Sequence, residues 1–86
     1  MQTQAQATRT MALTERSAKL ARHEENCRAL VQAYVRRRRL SERLLRREID
    51  TLLAGEMRAP ALWDAAFDPD RYLDTLSPSI QRRYGL

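Results

Sequence analysis

One histidine and one cysteine, His23 and Cys27, stand four residues apart, a spacing that places both on one helix face with Glu24 beside them. Structural zinc takes four protein ligands and catalytic zinc usually three, so two good ligands and one doubtful one fall short of a metal centre. No base stands at a recognised spacing that would activate the Cys27 thiol. The two glycines, Gly55 and Gly85, are thirty apart and neither precedes a lysine, which excludes a phosphate-cradling loop. The carboxylate pairs Glu24-Glu25 and Asp68-Asp70 are explained by a charged helix face and a helix start, where acids favour the positive end of the dipole. The residues predict no catalytic site, no cofactor, no metal and no small-molecule substrate.

Arginine is the other chemistry-bearing residue. Fifteen arginines stand against one lysine, and seven of them, Arg36, Arg37, Arg38, Arg39, Arg43, Arg46 and Arg47, fall within twelve residues. The net charge of +5 is unevenly spread, with +2 on residues 1–35, +4 on 36–54 and −1 on 55–86. An anionic partner would therefore meet the middle of the chain. Four consecutive arginines encircle a helix axis rather than form a face, and at a helix end they complement the negative dipole terminus. They can pair bidentately with carboxylates, neutralise phosphates in a salt-sensitive way, or serve only as a solvated collar.

Elements that position these residues can be read from periodicity. Two glycines and three prolines among abundant Leu, Ala, Arg and Glu predict an all-α chain. Residues 1–12 read as a flexible polar segment and residues 13–86 as one small helical domain, near the size where a single core barely suffices. Leu13, Leu20, Cys27 and Tyr34 recur every seven residues, with Leu30 and Val31 adjoining, which predicts a helix over 14–38 capped by Thr14. At Leu40-Ser41 two readings stand open: Ser41 caps a second helix folded back as a hairpin, or one helix runs on to Leu53. The apolar row favours the break, since its continuation would put Arg38 and Ser41 in the buried row. Gly55 is expected to close the second long helix in the left-handed conformation.

Three X-Pro starts follow, at Pro60, Asp68-Pro69 and Ser77-Pro78, and predict two or three short C-terminal helices. Phe67 is placed to staple against Tyr72 across the second start. Trp63, Phe67, Tyr72 and Tyr84 supply bulk for a core or anchors for a partner.

These features predict a non-catalytic interaction protein: a subunit, chaperone or modulator of a larger assembly, in a hetero-complex or a homo-oligomer. Its protein interface would comprise Leu20, Cys27, Leu30, Val31, Tyr34, Trp63, Phe67 and Tyr72, steered by the arginines. The alternative is a nucleic-acid-binding regulator that contacts phosphates through Arg36 to Arg47. Leu76 to Gly85 has the composition of a groove-reading helix, but no support helix precedes it. A lone cysteine and the lack of a signal-like apolar stretch predict a cytoplasmic setting, and no segment is apolar enough for a membrane.

Overall fold

A computed structural model describes residues 3–86, with side chains from residue 14 onward. It is all-helical: α1 spans Thr3–Arg38, α2 Arg46–Glu56, α3 Pro69–Thr75 and α4 Pro78–Arg83, with a 3-10 turn at Pro60–Trp63 before α3. At 1.5 Å per residue α1 is about 54 Å long, which accounts for most of the 59 Å length of a molecule only 25 by 18 Å across. No described helix is long and apolar enough to cross a membrane.

The expected pair of long helices is thus one long helix and one short one of 11 residues. Nothing between Thr3 and Arg38 breaks a helix, for the segment has no Gly or Pro and is rich in Ala, Gln, Arg and Glu. Thr14 lies inside α1 and does not cap it. Met1 and Gln2, and the side chains of the polar lead-in expected over residues 1–12, lie outside the described residues.

The break comes at Arg39, the one described non-glycine residue with a left-handed backbone, φ 55°. Its amide closes the helix by donating to the Val35 carbonyl at 2.9 Å. For a residue with a Cβ this conformation costs roughly 1–2 kcal/mol. Burial of the row that the turn brings back against α1 offsets it. Ser41 does not start α2. It organises the turn that leads into it, its hydroxyl accepting from the Leu44 amide at 3.4 Å and its carbonyl from the Leu45 amide at 3.2 Å, and α2 begins only at Arg46. Gly55 is not the expected left-handed cap either, because α2 runs past it to Glu56 and ends at Met57 with φ −60°.

The proline starts form as expected. Asp68 accepts from the Arg71 amide and Ser77 from the Ile80 amide, each a side-chain cap one residue before a proline. The Phe67 and Tyr72 rings meet at 5.7 Å across the first of these caps. After Pro60 only a single 3-10 turn forms, ending at Trp63.

One core joins all of these pieces. Leu30, Ala33 and Tyr34 of α1 pack with Leu45, Ile49 and Leu52, and with Leu62, Leu73 and Tyr84 from the C-terminal third. Each fully buried leucine is worth about 1.5–3 kcal/mol relative to exposure. The Gln81 amide donates to the carbonyls of Leu73, Asp74 and Leu76, so α4 closes the free end of α3.

Candidate interaction surfaces

The seven arginines meet three different fates. Arg36 and Arg37 turn toward α3, whose Asp70 and Asp74 share one face by their i,i+4 spacing. Arg37 pairs with Asp74 at 2.9 Å and Asp70 at 3.6 Å, and donates to the Asp70 carbonyl at 2.8 Å. Arg36 adds a looser contact to Asp70 at 3.8 Å. Arg38 turns inward. Its guanidinium donates to the Tyr34 hydroxyl at 2.8 Å and to the Tyr84 carbonyl at 2.6 Å. The same carbonyl accepts from the Tyr34 hydroxyl at 2.5 Å. Gly85, with φ 75°, lies so close that a Cβ there would sit 2.8 Å from the Arg38 guanidinium carbon.

Arg39, Arg43 and Arg47 are exposed and have no side-chain partner among the described residues, while Arg46 reaches only its own helix, 3.9 Å from Asp50. Arg36, Arg37 and Arg39 also line a bay of about 450 Å³ between the end of α1 and the C-terminal turn of Gly85 and Leu86. The expected cluster of seven is thus one inward clasp, one pair bound to α3, and an open corner.

The apolar row is divided as well. Leu30 and Tyr34 are 0 % exposed inside the chain's own core, so they are not available to a partner. Cys27 and Val31 are half-buried and line an open groove between α1 and α2. At one end of it Leu53 and Met57 close a recess of about 420 Å³, and at the other Ile49 and Leu53 close one of about 290 Å³. Burial raises the Cys27 thiol above its ordinary pKa, which favours the protonated form over the thiolate. Leu20, seven residues before Cys27, is 56 % exposed. Trp63 is exposed on one face and stacked on His23 by the other, at 4.0 Å. Phe67 and Tyr72 are half-buried against the core.

Two polar residues of α1 hold the loop after α2, a role that composition and spacing do not reveal. His23 Nε2 is 2.6 Å from the Met57 carbonyl, which can only accept, so that nitrogen carries a proton. The Asn26 amide donates to the carbonyls of Leu62 at 3.0 Å and Asp64 at 2.9 Å. The signal available in the sequence is their phase, since Asn26 is one turn before the buried Leu30. His23 also touches Cys27, at 3.7 Å from ring nitrogen to sulfur. Among the described residues no group of three or more His, Cys, Asp or Glu is placed to hold a metal ion.

Tyr72 donates to the Glu56 carboxylate at 2.6 Å and ties α3 to the end of α2. Burial, then the hydrogen bond and the charge of Glu56, push its phenol well above the usual tyrosine range. Burial raises Tyr34 too, opposed by Arg38. A phenol whose pKa is raised on folding keeps its proton where the unfolded chain has released it. Its contribution is complete below the unfolded value of about 10 and is lost as pH climbs past it. Urea midpoints are therefore expected to fall between about pH 8 and pH 11, and to fall less in Tyr72→Phe. An identical decline in the two chains would show that Tyr72 is not the group responsible. Comparison of the whole chain with protein-family models, curated proteins and solved structures finds no match.

Proposed function

We propose that this chain is a non-catalytic helical interaction protein, a subunit, chaperone or modulator that docks on another protein in a cytoplasmic setting. The observation that carries the reading is the unaccompanied part of α1. From Glu15 to Arg22 the chain is helical and every side chain is exposed, and among the described residues after Thr14 the cross-element hydrogen bonds of this helix begin with His23 and Asn26. A helical stretch with no tertiary cover is marginal in water, whereas most helices owe their stability to packing of one face. Leu20 stands on that stretch, in line with Cys27 and Val31 on the open groove. The docking surface is this line, with α1 and the short α2 as a hairpin-like platform and Trp63 stacked on His23 at the edge of the groove; Phe67 and Tyr72 belong to the same proposed interface. The open arginines steer approach.

Affinity capture with nuclease treatment tests the proposal. A protein partner should survive nuclease, and Leu20→Glu should weaken its retention about tenfold or more, as expected when a charge enters a desolvated contact. A monodisperse monomer that retains no protein under these conditions would refute it. A second reading has its own observation, the three arginines without an internal partner. If they grip phosphates, affinity for DNA or RNA falls steeply between two salt concentrations. Binding that does not change with salt removes that reading.

A further inference from the structure

Leu20 and the open groove lie on one line of one helix. α1 runs unbroken from Thr3 to Arg38, so the angular position of each of its residues follows from a step of about 100°. Leu20 falls within about 20° of Cys27 and of Val31, which wall the groove roughly two and three turns further on. The nearer recess, of about 420 Å³, lies between His23, Glu24, Cys27 and Arg28 of α1 and the side chains of Leu53 and Met57, and Met57 is itself 42 % exposed. The second recess is walled by Cys27, Arg28, Val31 and Gln32 on α1, and across from them by Glu42 and the end of α2. Its α1 walls stand four residues beyond those of the first, about 6 Å along the axis.

We infer that the groove is filled by a second copy of this chain, in a two-fold dimer whose α1 helices run antiparallel and whose Leu20 side chains each enter the other copy's first recess. A protruding leucine and a recess that share a face, offset along one helix, satisfy each other twice when a two-fold axis crosses between them, here near His23. The same pairing covers the stretch from Glu15 to Arg22, whose side chains are exposed in the single chain. Charge fixes the register. Arg16 stands four residues before Leu20 on the same face, which is also the separation of the two recesses. With Leu20 seated in the first, the antiparallel direction therefore brings Arg16 to the second, where Glu42 stands. Arg16 and Glu42 are exposed and in no ion pair among the described residues, whereas Arg46 of that recess already faces Asp50 at 3.9 Å. The inference rests on the docking through Leu20 proposed above and names the partner as the chain itself.

Sedimentation equilibrium of the full chain over a range of concentrations reads the assembly directly. A dimer is expected, and Leu20→Glu should weaken it about a hundredfold, because symmetry makes each substitution count at two contacts. Arg16→Glu and Glu42→Arg should each weaken it about fivefold, again counted twice, and the two together in one chain should restore it by rebuilding the pair with opposite signs. All three positions are exposed, so the variants keep the fold, which circular dichroism verifies. A monomer at every concentration, a dimer indifferent to Leu20→Glu, or a double reversal that recovers nothing would each overturn the inference. A monomer that still retains another protein through Leu20 overturns this inference alone, and one that retains none overturns the docking reading with it.

Discussion

An Arg38→Ala chain is expected to lose about 2–3 kcal/mol of stability, against less than about 1 kcal/mol for Arg36→Ala, although the two arginines are separated by one residue. Arg38 serves two acceptors at once, and one of them, the Tyr34 hydroxyl, belongs to a residue that is 0 % exposed. The Tyr84 carbonyl then has both lone pairs occupied, by Arg38 and by Tyr34. Without the guanidinium a buried hydroxyl and the last turn of the chain lose a charged donor, and such bonds are worth about 1.5–3 kcal/mol. Gly85 packs on the same guanidinium, so the C-terminal turn also loses a surface. Arg36 has only a 3.8 Å contact with Asp70, both side chains being more than half exposed, and pairs of that kind contribute little. Arg38→Lys should show part of the loss, since an ammonium can still donate but does not supply the planar guanidinium on which Gly85 packs. Urea midpoints at constant slope measure all three. A change below about 0.5 kcal/mol for Arg38→Ala, or one equal to that of Arg36→Ala, would show that the clasp does not hold the C-terminus.

The clasp also shows where the sequence is legible and where it is not. Four identical residues in a row carry no label that separates an inward side chain from an outward one. Phase does carry it: Arg38 stands four residues after Tyr34, in the row that the apolar spacing assigns to the interior. Extended past Tyr34, that row argues for a chain break, and a break does follow, one residue later. A half-buried cation stands in the row because its charge is met by the Tyr34 phenol, one turn back, and by the Tyr84 carbonyl, which arrives from forty-six residues away. No local pattern announces the second of these partners.

Local chemistry reads well where it is sufficient. Asp68-Pro69 and Ser77-Pro78 need only a short polar side chain and a fixed φ, both present in the residues themselves, and both caps form. The Phe67–Tyr72 staple spans five residues and is equally local. Gly55 misleads because glycine permits a left-handed turn without requiring one. A Cβ there would meet only the Tyr84 hydroxyl, at an ordinary contact distance of 3.5 Å, so packing does not require glycine at this position. Arg39 misleads in the opposite sense, taking the left-handed position that glycine would be expected to fill. At the interaction surfaces the same division holds. Exposure of Leu20 follows from the polar residues around it, whereas burial of Leu30 and Tyr34 depends on Leu62, Leu73 and Tyr84 folding back over them.

That fold-back rests on a short element, and Leu73→Ala measures how firmly. Leu73 is 0 % exposed and is the one buried side chain of α3, a helix of seven residues too short to persist alone. Truncation of a fully buried leucine costs about 2–5 kcal/mol, the lost transfer energy plus the cavity left behind. A domain of this length has a total stability on the order of 4–13 kcal/mol, so the change is a large share of it. The surface pairs of α3 with Arg36 and Arg37 cannot compensate, being worth at most about 1 kcal/mol each and weaker in salt. Raising the salt concentration should therefore move the unfolding midpoint far less than Leu73→Ala does. Amide exchange then distinguishes two consequences. If α3 and α4 detach as a unit, their protection falls while that of α2 is kept; if the core is one cooperative body, all three fall together. The second outcome is expected, because Leu73 shares its cluster with Ile49 and Leu52 of α2 and because Gln81 and Tyr84 tie α4 to both ends of it. Separate loss of α3 and α4 would mean that the C-terminal third is a detachable cover over the groove side of α1, and that Leu30 and Tyr34 become available to a partner after all.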